Sequence, residues 1–252
     1  MINVLLVGCN GRMGKVITEL VKTTYSEKLN IVAGYDRNGA ADGTYPVYSN
    51  LNDCTEKADV LVDFSNPVAL EEILEFVKAR GIPTIIATTG HTEEQRQMMK
   101  ECAKYIPLLN STTMSIGMNL VVELVKKTTK ALQEDFDIEI VEKHHNQKLD
   151  APSGVAVMLA NSVRSSMPEE CNYVYDRHDK REKRSKNEIG IHTVRGGNIV
   201  GDHTVIFAGQ DEIIEISHIA TSRNMFARGA LRAAEFIVRQ KPGFYGIKDL
   251  FN

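Results

Sequence analysis

Short apolar runs alternate with helical patterns over the first part of the chain. Residues 2–7 are rich in branched side chains and end at a glycine, as is typical of a strand buried on both faces of a parallel sheet. Apolar residues at helical spacing over 13–21 then predict an amphipathic helix. A second strand is predicted over 31–35 and ends at Asp36.

The same alternation continues along the chain. Strands are predicted over 60–64, 83–87 and 107–110, and helices over 69–79 and 92–104. Strands that alternate with helices imply right-handed crossovers between parallel strands. We therefore predict an α/β fold, with a doubly wound parallel sheet of the Rossmann type.

The pattern changes beyond about residue 114, where a helix is predicted over 119–132. Residues 136–142 then alternate strictly between apolar and polar, which indicates a sheet with one buried face. Long strands are also predicted over the ranges 192–195, 203–208 and 212–220. The last helix, 227–239, is expected to return to the first domain. We predict one domain from 1–113 and 222–252, and a second α+β domain from 114–221 with a mixed, largely open sheet.

Composition narrows the classes of ligand. The chain has 252 residues, is 25% charged and carries a formal charge of −3, so it has no global basic field for nucleic acid and a small-molecule ligand fits better. Its apolar runs are shorter than the roughly 18 residues needed to cross a bilayer, and its apolar start leads into glycines rather than a cleavage site. We expect a cytoplasmic protein without a membrane partner.

The cysteines and the charged run 177–186 are interpreted without special chemistry. Cys9, Cys54, Cys102 and Cys171 are too scattered for a zinc site or a disulfide framework, so we expect four reduced thiols and no metal. The charged run is predicted to be an exposed loop, because clustered charges solvate well.

A glycine-rich turn follows the first predicted strand. The segment consists of Gly8, Cys9, Asn10, Gly11, Arg12, Met13 and Gly14. Glycines allow tight turning and close backbone approach, and the amides at a helix start attract a pyrophosphate. The spacing is G-x-x-G-x-x-G rather than the commoner G-x-G-x-x-G, and glycines can also serve such a turn for steric reasons alone. The position between strand and helix favours a dinucleotide site.

Asp36 lies about twenty residues beyond the last of these glycines, where a carboxylate receives ribose hydroxyls. The alternative is that it caps a turn. Arg37 can stack on adenine or bind the 2′-phosphate that Asp36 would repel, so we expect NADH to be used and NADPH to be accepted. Arg12 can add charge beside the phosphates, although it can equally be an ordinary exposed arginine.

A polar segment after the strictly alternating strand concentrates candidate chemistry. It contains His144, His145, Lys148 and Asp150, and leads into Ala-Pro-Ser-Gly. Ser153 can cap the helix that follows, and the amides of Gly154 and Val155 can bind a substrate carboxylate beside His145 and Lys148. Histidine exchanges protons near neutral pH, and lysine can protonate a carbanion or enamine. The alternative is a polar loop that merely joins strand to helix.

Four stretches together resemble one family over nearly the whole chain. They are 7–14 (VGCNGRMG), 87–90 (ATTG), 115–119 (SIGMN) and 142–154 (EKHHNQKLDAPSG), of which the last is the most specific. The chain resembles the 4-hydroxy-tetrahydrodipicolinate reductases, also called dihydrodipicolinate reductases, of lysine and diaminopimelate biosynthesis.

The resemblance implies hydride transfer from NADH or NADPH to the C=N system of a small dicarboxylate. It implies that His144 donates or accepts a proton and that Lys148 donates one, and it assigns Ser153 to the substrate site together with His145, Gly154 and Val155. Two further groups are assigned to the nicotinamide side of the cofactor site, namely Ala87, Thr88 and Thr89, and Ser111, Thr112, Thr113 and Met114. The first domain would bind the dinucleotide, and the sheet of the second would bind substrate and assemble a homotetramer.

The sequence departs from the family pattern at two places. Val155 replaces a usual threonine, which removes a hydroxyl donor to a substrate carboxylate. Such a hydrogen bond to a charged group typically contributes about 1.5 to 3 kcal/mol. Residues 112–114 also differ from the usual Ala, Pro or Asn, and Phe, which concerns the nicotinamide wall rather than the chemistry.

Two other functions remain open at this point. A dehydrogenase acting on aspartate would share the opening fold, but has no evident need for paired histidines and a lysine. A nucleotide-responsive binding protein would keep Gly8, Gly11 and Gly14, and would lose His144 or Lys148 without consequence. The joint presence of both sets favours the reductase.

Overall fold

The computed structural model describes residues 1–39 and 43–251. The chain forms two compact units, Met1–Ile116 with Asn224–Asn252, and Gly117–Arg223. The strands are β1 (Ile2–Val7), β2 (Leu29–Tyr35), β3 (Val47–Tyr48), β4 (Val60–Asp63), β5 (Thr84–Ile86), β6 (Pro107–Asn110), β7 (Asp137–His144), β8 (Asn172–Val174), β9 (Glu188–Arg195), β10 (Gly201–Ala208), β11 (Ile213–Ala220) and β12 (Gly243–Tyr245). The helices are α1 (Arg12–Thr23), α2 (Leu70–Arg80), α3 (Glu93–Cys102), α4 (Ile116–Leu132), α5 (Gly154–Arg164) and α6 (Asn224–Ile237).

The first unit contains a seven-stranded sheet in the order β12-β6-β5-β4-β1-β2-β3. Every neighbouring pair is parallel. The chain runs outward from β1 through β2 to β3, and then starts again on the other side of β1 with β4. The predicted doubly wound sheet is confirmed, and its switch point lies between β1 and β4, where open α/β sheets bind ligands.

Both faces of this sheet are covered, because β1 directs alternate residues to opposite cores. Val4 and Leu6 belong to the core that includes residues of α1 and α6. Leu5 and Val7 belong to the core that includes residues of α2 and α3. The continuous apolar run at the start of the chain is therefore explained by burial on both faces of the sheet, as the sequence predicted.

Local signals place the ends of the helices in the first unit. Thr92 and Gln95 form a reciprocal capping box at the start of α3. Helix α2 ends at Gly81, whose φ of 67° is in the left-handed region that glycine adopts without strain.

The second unit contains a five-stranded mixed sheet in the order β11-β10-β7-β9-β8. Strand β10 is antiparallel to β7 and β11, and β9 is parallel to β7 and β8. Residues along β7 alternate between half-buried and buried, and the buried Ile138 and Ile140 pack with apolar residues of α4 and α5. The prediction of a mixed sheet with one covered face is confirmed.

Some features differ from the sequence prediction. Strands β3, β8 and β12 were missed, because two or three residues are too few to show a period. The run 177–186 lies outside helices and strands as predicted, but Arg184 is not simply solvated. Its guanidinium donates to Glu139 and Asp137 at 2.8 and 2.9 Å and to the backbone oxygen of Glu188 at 2.6 Å. This arginine fastens the loop to the sheet.

The four cysteines are buried, and none of them is part of a disulfide. Over the described part of the chain, no helix combines the length and apolar character needed to cross a membrane.

Candidate active site

The glycine-rich turn lies directly after β1, at the carboxyl edge of the parallel sheet. Gly8 has a φ of 76°, and a Cβ on it would lie 2.6 Å from the backbone oxygen of Phe64, at the end of β4. A Cβ on Gly14 would lie 2.4 Å from the backbone oxygens of both Gly8 and Cys9. These two glycines are required by the close backbone approaches, whatever the turn binds.

The start of α1 presents backbone amides without a side-chain cap, because the residue at the N-cap is Gly11. The first turn of this helix contains no acidic residue, and Arg12 is exposed at its start while Met13 is half-buried. Helix starts of this kind attract anions. The turn therefore fits a pyrophosphate on geometry and on charge.

Asp36 follows β2 at the same edge of the sheet and is tied to the glycine-rich turn. Its carboxylate accepts hydrogen bonds of 3.2 Å from the backbone N–H of Asn10 and from that of Asn38. The bond from Asn38 caps a turn, as the alternative interpretation proposed. The bond from Asn10 holds the carboxylate beside the turn at the same time, and Arg37 is exposed next to it.

The segments after β5 and β6 reach this edge too. Ala87 and Thr88 are buried and Thr89 is exposed. Ser111 is half-buried and Thr112 exposed, whereas Thr113 and Met114 are buried. The Met114 side chain belongs to the apolar core that includes residues of α1 and α6.

Asp63, at the end of β4, is a buried acid that the sequence analysis did not single out. It is 1% exposed and accepts a hydrogen bond of 2.9 Å from the backbone N–H of Ser65. Burial raises the pKa of Asp63, although the hydrogen bonds from Ser65 act in the opposite direction. Asp63 directly precedes Phe64, whose backbone lies beside Gly8. Its buried carboxyl therefore places a polar group at the switch point.

In the second unit, the covered face of β7 changes from apolar to polar along the strand. Ile138 and Ile140 contribute to the core, and Glu142 and His144 follow on the same face. Glu142 is 0% exposed and His144 is 8% exposed. Two ionisable side chains at the end of a buried strand need polar partners, because an unpaired buried charge is strongly destabilising.

Glu142 obtains those partners from β9 and from the start of α5, in addition to His144 on its own strand. Arg195, at the end of β9, donates to both carboxylate oxygens at 2.8 Å. The Thr193 hydroxyl donates at 3.1 Å and the backbone N–H of Ser153 at 3.0 Å. Burial alone would raise the pKa of Glu142, but the hydrogen bonds from Arg195, His144 and Ser153 outweigh it and lower the pKa to about 2. The side chain is an ionised acceptor at neutral pH.

His144 lies between Glu142 and a second buried histidine. Its Nδ1 is 2.6 Å from Oε2 of Glu142, and its ring packs edge-on against His203 with the ring centroids 5.1 Å apart. His203 Nε2 is 2.9 Å from the hydroxyl of Ser153. Burial, followed by repulsion from His144, lowers the pKa of His203 to about 4. His203 is therefore neutral at physiological pH.

Lys148 lies in the loop between β7 and α5. Its Nζ donates to a carboxylate oxygen of Asp150 at 2.7 Å, and its side chain is 20% exposed. Arg195 supports this loop by donating to the backbone oxygen of Asp150 at 2.7 Å. The half-buried His145 precedes Lys148 in the same loop, and its backbone oxygen accepts a hydrogen bond of 3.2 Å from the Lys148 N–H.

Ser153 caps α5, as predicted, by accepting a hydrogen bond of 3.1 Å from the backbone N–H of Ala156. With its side chain also bonded to His203 and only 2% exposed, Ser153 holds the helix start in place. Gly154 is exposed, with nothing within 4 Å of the position a Cβ would take, and Val155 is half-buried. The open end of α5 can therefore accept an anion.

The second unit thus brings His144, Lys148 and the start of α5 together through side chains that the sequence analysis did not assign. Glu142, Arg195 and His203 were missed in these supporting roles. The acidic residue two positions before His144 was visible within the specific motif. The pairing of β7 with β9, which brings Arg195 to Glu142, was not visible in the sequence. Among the described residues, no group of histidines, cysteines and carboxylates is arranged to hold a metal ion.

Comparison with known proteins agrees with the resemblance over the full length. Residues 2–114 match the family model described as dihydrodipicolinate reductase, N-terminus, and residues 117–251 match the corresponding C-terminus. The 4-hydroxy-tetrahydrodipicolinate reductase of Caldanaerobacter subterraneus subsp. tengcongensis is 50% identical, over 99% of this chain and 98% of that protein. That of Clostridium tetani is 44% identical, over 100% and 98%.

A solved structure supports the same assignment. The dipicolinate-bound dihydrodipicolinate reductase from Paenisporosarcina sp. TG-14 has a TM-score of 0.84 and 26% identity, over 99% of both chains. The chain therefore belongs to the dihydrodipicolinate reductase family.

Proposed function

We propose that this protein reduces 4-hydroxy-tetrahydrodipicolinate to tetrahydrodipicolinate with NADH or NADPH, on the diaminopimelate route to lysine. The observation that carries the proposal is the joint arrangement of His144, Lys148 and the open start of α5 within one unit of a chain that matches the family from end to end. Membership of this family also argues against a dehydrogenase that acts on aspartate.

The first unit would hold the cofactor. NADH or NADPH supplies the hydride when bound. We assign the pyrophosphate to the turn and helix start formed by Gly8, Cys9, Asn10, Gly11, Arg12 and Met13. The uncapped amides of α1 and the absence of acid from its first turn support this assignment. Asp36 would accept the ribose hydroxyls, and Arg37 would bind the 2′-phosphate of NADPH. Residues 87–89 and 111–114 would line the nicotinamide side.

The substrate would be a small dicarboxylate, and the relative from Paenisporosarcina is described as bound to dipicolinate. One carboxylate would accept hydrogen bonds from the amides of Gly154 and Val155, with His145 adding a hydrogen bond and Lys148 adding positive charge. Because the Ser153 hydroxyl is already engaged with Ala156 and His203, we assign this residue to holding the helix start.

His144 and Lys148 would carry the proton transfers that accompany reduction. Lysine is charged at neutral pH and its partner Asp150 is 2.7 Å away, so Lys148 is held with a proton to donate. His144 would donate or accept a proton through Nε2, because Nδ1 is directed at Glu142.

We further propose a cytoplasmic homotetramer assembled through the second unit. Strand β11 forms one edge of the mixed sheet, and its Ile213 and Ile219 are 65% and 67% exposed. An edge strand with exposed apolar residues favours pairing with another chain. The net charge of −3 favours neither nucleic acid nor an acidic membrane surface as a partner.

The test is an assay in which the upstream synthase generates the substrate in place and the oxidation of NADH or NADPH is followed. The proposal predicts cofactor oxidation that depends on the synthase. A protein that binds NADH but oxidises none above background would be a nucleotide-responsive binding protein instead.

Lys148→Ala separates these two functions further. The variant should lose kcat by about a hundredfold or more, because a positioned general acid contributes that much, while the Kd for NADH stays unchanged. Near-normal turnover would overturn the role assigned to Lys148.

A further inference from the structure

The Glu142 side chain connects three parts of the candidate site in the second unit. Its carboxylate accepts five hydrogen bonds, two from Arg195 and one each from Thr193, Ser153 and His144. It is fully buried, and it lies at the position where the covered face of β7 stops being apolar.

The contact with His144 is directional. An ionised carboxylate is only an acceptor, so the proton in the 2.6 Å contact belongs to Nδ1 of the imidazole. The neutral ring then has its lone pair on Nε2. A carboxylate in this position also stabilises the imidazolium ion that forms when Nε2 takes up a proton.

Gly201, at the start of β10, lies close to the other nitrogen of the ring. A Cβ on this residue would lie 3.1 Å from Nε2, which is tight for a side-chain contact. A glycine at this position therefore leaves room beside the ring atom that carries the lone pair.

The same carboxylate also fixes the start of α5. It accepts the backbone N–H of Ser153, the N-cap residue, at 3.0 Å. The amides of Gly154 and Val155 follow at once. One rigid acceptor thus links the orientation of the His144 ring to the helix start that would bind a substrate carboxylate.

We propose that Glu142 is a positioning residue, which holds His144 in the Nδ1–H tautomer and fixes the ring relative to the start of α5. The proposal rests on the proposed function in one respect only, namely that turnover depends on His144. The tautomer itself can be measured without turnover.

The first measurement is the imidazole ¹⁵N spectrum of the wild-type protein at about pH 9, where free imidazole is neutral. The signals of His144 are assigned from a His144→Asn variant. We expect a protonated Nδ1 and an unprotonated Nε2. The opposite tautomer in the wild-type protein would overturn the proposal, and this result does not depend on whether any variant folds.

The second measurement uses Glu142→Gln. The amide has one oxygen, which the donors Ser153, Thr193 and Arg195 would engage, so its NH₂ group would face His144 and favour the Nε2–H tautomer. We expect the tautomer to invert and kcat to fall about a hundredfold, with the KM for NADH changed less than about twofold. Retention of the wild-type tautomer or of normal kcat would refute the proposal.

The chain offers a matched control on the same strand. Glu139 on β7 also contacts a histidine and an arginine, with its carboxylate 2.8 Å from His192 Nε2 and 2.8 Å from Arg184 Nε. It projects from the opposite face of the strand. Glu139→Gln should leave kcat and the His144 spectrum unchanged, and equal losses in both variants would show a general effect on the sheet instead.

Removing the charge of Glu142 leaves Arg195 without its partner, so Glu142→Gln is also made together with Arg195→Met. The double variant should show the same loss of kcat and the same altered tautomer, and recovery of wild-type kcat would count against the proposal. If the wild-type protein oxidises no NADH, the proposed function fails, while the two spectra still decide the role of Glu142.

Discussion

His203 provides a test of the buried polar cluster that does not depend on catalysis. The residue is 4% exposed, its Nε2 contacts the Ser153 hydroxyl at 2.9 Å, and its ring packs against His144. Burial, and then repulsion from His144, lowers the pKa of His203 from 6.5 to about 4. Protonation of His203 is therefore less favourable in the folded protein than in the unfolded chain.

The sign follows from which state binds more protons. Between pH 6.5 and about 4 the unfolded chain carries a proton on His203 that the folded protein lacks, so stability falls as the pH falls through this window. At about 1.4 kcal/mol for each pKa unit, the full effect is about 3 kcal/mol. This stability is fully present above pH 6.5.

The assay is urea unfolding of the wild-type protein and of His203→Gln at about pH 7.5, 5.5 and 4.5, at one protein concentration. Unfolding is followed by circular dichroism, because the chain contains no tryptophan. Glutamine keeps a polar group near Ser153 but cannot take up a proton, so the variant should lose about 2 to 3 kcal/mol less than the wild-type protein between the first and last pH, which covers most of the full effect.

The control is His178→Gln, which makes the same substitution at a side chain that is 90% exposed. Its pH dependence should match that of the wild-type protein. Identical pH dependence in His203→Gln and wild-type protein would refute the reasoning, because it would mean that His203 is protonated as easily in the folded state as in the unfolded chain.

Three further predictions concern the binding sites. Gly14→Ala places a Cβ 2.4 Å from two backbone oxygens, so it should destabilise the folded protein by about 1 to 3 kcal/mol in urea unfolding and should raise the Kd for NADH in calorimetry, because the backbone of the turn must shift. Gly246→Ala, with its nearest neighbours at 3.9 Å, should change neither quantity. Asp36→Ser should raise kcat/KM for NADPH relative to NADH, and an unchanged ratio would contradict the ribose assignment. Val155→Thr restores a hydroxyl at the start of α5 and should lower the substrate KM about tenfold or more, while an unimproved KM would indicate that another residue compensates.

The regular part of the fold was predictable because its signals are local. The apolar run that became β1, the capping Thr92 and the strict alternation that became β7 each lie within a few residues of the element they determine. Strands such as β3 and β12 exist only because a neighbouring strand pairs with them. Their sequences carry no period, and no local pattern could have shown them.

The residues of the candidate site were likewise predictable only where they lie close together in the sequence. His144, Lys148 and Ser153 are close in the chain, so their motif was visible, and the cap at Ser153 was confirmed. Arg195 and His203 come from β9 and β10, which are distant in sequence. Only the pairing of those strands with β7 brings them to the motif. The partners of a buried charge follow from tertiary structure.

The register of β7 against β9 determines the core and the site together. Glu142 is paired with Thr193 and His144 with Arg195 in this parallel register. Since side chains alternate along a strand, a slip by one residue would turn Ile138 and Ile140 away from the core and would separate Glu142 from its arginine. The slipped pairing would expose apolar surface and bury an unpaired carboxylate at once. The same pairing that is favoured by burial of the isoleucines is therefore also the one that assembles the polar end of the strand.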